Sequence, residues 1–120
     1  MNYFENDYAL PVILGSSTEA ISVATLLRRE SDLKIHIFAR KLSLINRLLF
    51  KYHKTTSENE DILLLSLTDF SDSVGEYYMP VLILCDETGK AFAEKYFSFL
   101  EQRYVIMSAQ STKNSFLKEN

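Results

Sequence analysis

Two clusters of polar side chains, each placed directly after an apolar segment, are the residues of this sequence best suited to chemistry. A glycine and three hydroxyl residues follow the apolar run at 10–14: Gly15, Ser16, Ser17 and Thr18. Two carboxylates, Asp86 and Glu87, follow the most apolar run, at 81–85. Main-chain N–H groups in such a turn bind negative groups, whereas carboxylates accept hydrogen bonds from amines and hydroxyls. Together the clusters predict a site for a small molecule that carries both kinds of group, such as an amino-acid-like substrate.

The carboxylate cluster and a nearby arginine each have a second, purely structural interpretation. Asp86 or Thr88 is suited to accept the first N–H bonds of a following helix. Arg40 follows the second predicted strand, where nucleotide-binding sheets contact a ribose or a phosphate, and we name it as a candidate anion contact. An arginine at that place is also compatible with an ordinary surface position.

Several other kinds of site are excluded by the residues present. In the first turn only Gly15 occupies a glycine position of the dinucleotide fingerprint, because Ser17 and Ala20 stand at the other two. Neither His36 nor His53 shows the spacing of metal ligands, and we predict no metal site. No G-x-S-x-G or Walker motif occurs, so we predict no catalytic residue in this chain.

Composition is that of one ordinary globular domain. The chain has 120 residues, of which 47% are hydrophobic and 24% charged, enough for a single core. Its apolar runs are far shorter than the roughly 20 residues that span a bilayer, and no secretory signal is visible. The single cysteine, Cys85, fits a reducing compartment; it ends a buried strand, where a small hydrophobic role is commoner than a reactive thiol. We therefore predict a cytoplasmic protein with no membrane partner.

Charge is distributed unevenly along the chain, although the net charge is only −3. Six basic residues and no acid occur between 34 and 54: Lys34, Arg40, Lys41, Arg47, Lys51 and Lys54. Six acids and no base occur between 58 and 76. Such blocks are typical of solvated helix faces; alternatively, they form a basic rim that attracts an anionic ligand or a partner domain. The negative net charge argues against nucleic acid as a partner.

Hydrophobic periodicity predicts strands and helices in alternation. Strands are predicted at 10–14, 33–37, 53–56, 81–85 and 104–107, and helices at 19–29, 44–52, 58–74 and 92–100. Capping-box spacing places the start of the first helix at Ser16 and Glu19, and the start of the third at Ser57 and Glu60. Gly75 occupies the position of a C-terminal glycine, which usually takes a left-handed conformation.

The order of these elements predicts the fold. Because connections between parallel strands are right-handed, the alternation predicts a doubly wound, three-layer α/β domain. Its sheet has about five mostly parallel strands in the order 3-2-1-4-5, with the strand at 81–85 in a central position. The switch point, between the first and fourth strands, then brings 15–18 next to Asp86 and Glu87. We assign residues 1–9 to a loose lead-in, 10–107 to the domain, and 108–120 to a polar tail or truncated linker without a partner element.

Three segments, at 11–16 (Pro-Val-Ile-Leu-Gly-Ser), 33–38 and 80–87, resemble a known family. They are similar to the N-terminal, pre-ATP-grasp domain of ATP-grasp ligases of the carboxylate–amine ligase kind. In that family a strand ending in Leu-Gly-Ser or Leu-Gly-Gly opens the chain, and a later strand ends in an acidic pair. The resemblance extends over most of the sequence and implies a Rossmann-like fold.

The resemblance also implies a function for the candidate residues. The domain would help to bind a small-molecule carboxylate or amine substrate through Gly15, Ser16, Ser17, Thr18, Asp86 and Glu87. ATP and Mg²⁺ are expected only in downstream ATP-grasp domains, with no cofactor in this chain, which alone would not be catalytic. The alternative is a stand-alone Rossmann-like module that binds a nucleotide or a protein partner in a regulatory role. The sequence is also compatible with a homodimer.

Overall fold

Strands and helices alternate along the chain, of which the computed structural model describes residues 4, 8–55 and 59–116. The strands are β1 (Ala9–Leu14), β2 (His36–Ala39), β3 (Lys51–Lys54), β4 (Met79–Leu84) and β5 (Val105–Ser108). The helices are α1 (Thr18–Glu30), α2 (Leu44–Leu49), α3 (Glu60–Val74), α4 (Glu87–Lys95), α5 (Phe97–Leu100) and α6 (Ala109–Asn114). Within these described residues, no helix combines the length and the apolar character needed to cross a membrane.

All the strands of this sheet are parallel and lie in the order β3-β2-β1-β4-β5, which confirms the predicted fold class and strand order. β1 and β4 are central because their residues are almost all apolar and can be buried on both faces. In register, Leu14 of β1 lies between Phe38 of β2 and Leu84 of β4. The carboxyl ends of these three strands therefore meet at one edge, where the switch point lies between β1 and β4.

Helices cover both faces of the sheet and enclose two cores. Successive residues of β1 point to opposite faces, so Ile13 belongs to the core under α1, whereas Val12 and Leu14 belong to the core under α3 and α4. The first core also contains Ala20, Val23, Ala24, Leu27, Ile37, Ile83 and Ala109. The second contains Phe38, Leu67, Leu82, Phe92 and Leu100. The molecule thus has the three predicted layers.

The ends of two helices differ from the sequence prediction. α1 is capped by Ser17, not Ser16: the Ser17 hydroxyl accepts a hydrogen bond from the Ala20 N–H at 3.1 Å. Glu19 does not complete a capping box, because its carboxylate pairs with Lys113 of α6 at 2.5 Å. Gly75 ends α3 as its C-cap residue, in a right-handed conformation with φ −62°, and not as the left-handed C′ glycine that commonly follows a helix.

α3 is capped at its start by Asn59, whose side chain accepts a hydrogen bond from the Asp61 N–H at 2.9 Å. The predicted cap, Ser57, lies outside the described residues. Strand bounds also shift: β2 begins at His36 instead of Leu33, and β3 begins at Lys51 instead of His53. These shifts arise because strand ends are set by pairing with a neighbour, which periodicity along one strand does not specify.

The apolar residues whose periodicity predicts a helix at 44–52 do not form a buried face of α2. α2 ends at Leu49 and buries none of its residues; Leu44, Ile45 and Leu48 are 73%, 71% and 81% exposed. The segment is held by buried residues that flank the helix, Leu42 and Phe50. The physical reason is position: β3, the edge strand beside it, has only 4 residues and offers little sheet surface to cover.

The expectation that the segment after β5 has no partner element is wrong. Ser108 caps α6, whose Ala109 and Thr112 are buried in contact with the rest of the domain. Lys113 of the same helix forms the ion pair with Glu19 of α1, and Phe116 stacks on Phe4 with ring centroids 6.0 Å apart. The polar composition of this segment is explained by the short helix, which buries only one side.

The helix predicted at 92–100 is divided at Tyr96 into α4 and α5. Of the apolar residues in this segment, Phe92 and Leu100 are buried in the second core, while Phe99 is exposed.

Candidate functional site

A crevice of about 400 Å³ opens at the carboxyl edge of the sheet, at the switch point. We call it the switch-point crevice. Its walls come from the ends of β1, β2 and β4, the residue after β3, and the first turns of α3 and α4. The lining residues are Leu14, Gly15, Phe38, Ala39, Arg40, Thr55, Asn59, Glu60, Leu63, Asp86, Thr88, Gly89 and Phe92. Ligands of open parallel sheets bind at this place because polar main-chain groups at the strand ends are exposed there.

At Gly15 the turn after β1 comes into close contact with the turn after β4. Gly15 has a φ of +95°, a conformation that residues with a side chain rarely adopt, and its N–H donates to the Phe38 carbonyl at 2.8 Å. A Cβ atom at Gly15 would lie only 2.8 Å from Asp86 Oδ2. The missing side chain therefore makes room for the Asp86 carboxylate, and the two predicted turns meet at one edge, as the strand order implies.

Asp86 combines its structural and its candidate binding roles. One carboxylate oxygen, Oδ1, accepts a hydrogen bond from the Gly89 N–H at 2.7 Å and caps α4, so the capping interpretation is correct for Asp86 and not for Thr88. The other oxygen, Oδ2, lies over Gly15 at the wall of the switch-point crevice. An amine or hydroxyl in the crevice can donate to this carboxylate without displacing the cap, because each carboxylate oxygen has more than one lone pair.

The other predicted site residues lie outside the switch-point crevice. The Ser17 hydroxyl is engaged in capping α1. Ser16 and Thr18 are exposed and line a shallow groove along α1 instead. The Glu87 side chain is 93% exposed and lies 3.5 Å from Lys90 on the outer side of α4. The structure therefore brings together Gly15, Asp86 and Arg40, but not the remaining four candidates.

The floor of the crevice consists of residues that the sequence analysis did not select. Phe38 and Phe92 are buried beneath it, and Leu63 of α3 completes an apolar surface. Thr55 and Glu60 add polar groups at the rim. Their positions could have identified two of these residues, because Phe38 lies near the carboxyl end of β2 and Thr55 directly follows β3. Leu63 lies in a helix and has no comparable signal in the sequence.

Charges of both signs surround the opening. Arg40 lies on the wall formed by the end of β2, and Asp86 lies on the wall formed by the end of β4. Glu60 lies at the rim, where its carboxylate accepts a hydrogen bond from Lys95 at 2.9 Å and raises the pKa of that exposed lysine. A molecule with an apolar body and two opposite charges matches this arrangement.

Cys85 lies next to the crevice but is not suited to nucleophilic chemistry. Its side chain is buried, and burial raises the pKa of the thiol to about 12, with a smaller contribution from the negative charges of Glu19 and Asp86. The thiol is therefore protonated at neutral pH, when only a thiolate would react. This agrees with the structural role expected for the cysteine.

The two histidines form a pair behind the crevice wall. His36 Nδ1 and His53 Nε2 share a hydrogen bond of 2.8 Å, and the His53 ring stacks on Phe38 with centroids 4.3 Å apart. Burial, followed by the charges of His53, Lys51 and Lys34, lowers the pKa of His36 to about 4. Burial also lowers the pKa of His53, so both rings are neutral at pH 7. In the part of the chain that the structure describes, no three His, Cys, Asp or Glu residues are grouped as a metal site would require.

Comparison with known proteins adds no assignment to this geometry. No protein-family model matches the chain, and neither a curated protein nor a solved structure matches it. The interpretation of the site therefore depends on its own residues.

Proposed function

We propose that this chain is a substrate-binding domain that holds a small amino-acid-like molecule in the switch-point crevice, as the N-terminal part of a carboxylate–amine ligase of the ATP-grasp kind. The observation that carries the proposal is the meeting of Gly15, Asp86 and Arg40 over an apolar floor at the switch point. The first and fourth strands that place Gly15 and Asp86 are the same segments that resemble the ligase family.

The chemistry of the lining favours a ligand with an amine, a carboxylate and an apolar side chain. Asp86 accepts hydrogen bonds from the ammonium group, and Arg40 binds the carboxylate from the opposite wall. Phe38, Leu63 and Phe92 contact the apolar part. A volume of about 400 Å³ is at the small end of the range for ligand pockets and suits one amino acid better than a dinucleotide.

In this proposal the domain binds and orients the acceptor and does not perform the chemistry. Joining a carboxylate to an amine requires activation of the carboxylate as an acyl phosphate, and the proposal assigns ATP and Mg²⁺ to further domains. Asp86 holds the amine by accepting hydrogen bonds from it, while the apolar floor excludes water. Orientation of this kind lowers the entropic part of the barrier when the two reactants meet.

Isothermal titration with standard L-amino acids, and with AMP, ATP and NAD for comparison, tests the proposal. We expect binding of at least one apolar amino acid, weakened at least about tenfold by Asp86→Asn, since a charge-assisted hydrogen bond contributes about 1.5–3 kcal/mol. Glu87→Gln is the matched control, because it removes a neighbouring carboxylate that lies outside the crevice, and it should leave the affinity within about twofold.

Two results would count against the proposal. Equal effects of Asp86→Asn and Glu87→Gln would show that the amine is not held at Asp86. Binding of a nucleotide in the crevice, without binding of any amino acid, would favour the stand-alone nucleotide-binding module instead.

A further inference from the structure

A second depression of about 620 Å³ lies beside the switch-point crevice and is lined by basic side chains. We call it the basic pocket and define it by Ser16, Arg40, Lys41, Ser43, Arg47 and Lys54. These residues come from four places in the chain: the turn after β1, the loop after β2, helix α2, and the end of β3. The fold, and not a single charged helix face, brings the positive charges together.

The residues that line the basic pocket include four cations and no carboxylate. No ion pair between described residues includes Lys41, Arg47 or Lys54. The basic pocket is therefore locally positive, although the net charge of the whole chain is −3. A concave surface lined by charges of one sign focuses the field and raises the local concentration of oppositely charged ligands.

Contacts of Arg47 and Tyr52 hold the wall of the basic pocket in place. Arg47 Nε donates to the Leu42 carbonyl at 2.8 Å, and its guanidinium lies 5.1 Å from the centre of the Tyr52 ring. The Tyr52 hydroxyl in turn donates to the Arg40 carbonyl at 3.0 Å. Among the described residues the hydrogen bond of Arg47 uses Nε, which leaves both Nη atoms as donors for a ligand, and a guanidinium held in place can bind phosphate oxygens in pairs.

From this geometry we propose that the basic pocket binds the pyrophosphate group of a small molecule. The Nη atoms of Arg47 and the ammonium groups of Lys41 and Lys54 neutralise the charge, while the Ser16 and Ser43 hydroxyls donate hydrogen bonds. Lys41, Arg47 and Lys54 together match a group with several negative charges better than a single carboxylate. This site does not depend on the proposed amino-acid site, because Lys41, Arg47 and Lys54 line only the basic pocket.

The test uses isothermal titration of the full chain with inorganic pyrophosphate, orthophosphate and ATP. We expect pyrophosphate to bind at least about fivefold more tightly than orthophosphate. The double variant Lys41→Gln/Lys54→Gln should weaken pyrophosphate binding at least about tenfold. Neither lysine side chain forms a hydrogen bond or ion pair with a described residue, and substitution leaves the backbone pairing of Lys54 with Ala39 in place, so this variant should keep its native unfolding temperature. A gain in affinity for ATP over pyrophosphate would identify a nucleotide as the source of the phosphates, and equal affinity would identify the phosphates alone.

The matched control is Arg28→Gln/Lys34→Gln, which removes the same number of positive charges from surfaces outside the basic pocket. It should change pyrophosphate affinity less than about twofold. An equal loss in both double variants would overturn the proposal, since it would show general charge attraction, and so would absence of pyrophosphate binding or equal affinity for orthophosphate. Asp86→Asn should leave pyrophosphate affinity unchanged, which separates failure of this site from failure of the amino-acid site.

Discussion

At the scale of single residues, the close contact between Gly15 and Asp86 restricts which residue can occupy either position. Gly15 has a positive φ, and its missing side chain leaves space for the Asp86 carboxylate, which also caps α4. Both residues are candidate substrate contacts from their positions in the sequence, and in the structure each also has a structural function. A binding role and a structural role are compatible here because different oxygens of Asp86 serve them.

We expect Gly15→Ala to lower the free energy of unfolding by about 2 kcal/mol, because the φ of +95° disfavours alanine and the new Cβ would collide with Asp86. Urea unfolding followed by circular dichroism measures the effect. In an Asp86→Ala background the collision is absent, so the same substitution should cost less by at least about 0.5 kcal/mol. If the two substitutions changed the free energy of unfolding in a strictly additive way, the contact between Gly15 and Asp86 would not contribute to the cost of Gly15→Ala.

At the scale of elements, β2 and β3 are connected by a histidine pair that the hydrophobic periodicity of the sequence does not predict. The His36–His53 hydrogen bond connects the two strands, and both rings pack against Phe70 of α3. Between these strands, α2 leaves Leu44, Ile45 and Leu48 exposed. The two histidines are 17 positions apart in the chain, so their spacing does not reveal the contact. Parallel pairing brings them together, because Phe38 lies opposite His53 and His36 lies opposite Lys51.

The histidine pair should make stability depend on pH. The pKa of His36 is lowered from 6.5 to about 4 in the folded state, so between these values the unfolded chain binds more protons than the folded chain. Stability is therefore complete above pH 6.5 and falls as the pH is lowered towards 4. Because the ring is partly exposed, we expect a loss on the order of 1 kcal/mol from this group.

Urea unfolding of the wild type and of His36→Gln at pH 7.0, 5.5 and 4.5 checks this expectation. The difference in stability between the two proteins should shrink as the pH falls, since only the wild type loses the neutral histidine pair. Titrating carboxylates act on both proteins and cancel in the comparison. If the difference in stability between the wild type and His36→Gln stayed constant across these pH values, the lowered pKa of His36 would not be the cause of the pH dependence.

At the scale of the whole molecule, the last described helix completes the layer that covers one face of the sheet. Thr112 of α6 is fully buried, and its hydroxyl donates to the Ser108 carbonyl at 2.9 Å. The contacts of α6 with α1, together with the Glu19–Lys113 pair, integrate the segment after β5 into the domain. The segment resembles a linker in composition because a six-residue helix needs few apolar residues to bury one side.

A chain that ends at Ser108 should be less stable than the full chain by about 2–4 kcal/mol, because loss of α6 exposes apolar surface of α1. Thermal and urea unfolding measure the difference. Within the full chain, Thr112→Ala should cost about 1 kcal/mol, whereas Gln110→Ala, an exposed position on the same helix, should lie within about 0.5 kcal/mol of the wild type. An unchanged midpoint after truncation would show that α6 does not stabilise the domain.

The sequence by itself determined the fold class, the strand order and the edge at which the site lies. Apolar runs without polar alternation identify β1 and β4 as central, and right-handed crossovers leave few other arrangements. The same logic places Gly15 beside Asp86, since parallel strands end at a common edge. These are properties of local patterns and chain chirality, which a sequence expresses directly.

Only the tertiary structure decided which side chains face the switch-point crevice and which helices are covered. Ser17 and Glu87 are within two residues of lining residues in the sequence but lie outside the crevice, because one caps α1 and the other lies on the outer side of α4. Leu63, from α3, reaches the crevice because α3 crosses from the edge strand to β4. Orientation and burial arise from packing between segments distant in the chain, and no pattern along one segment specifies them.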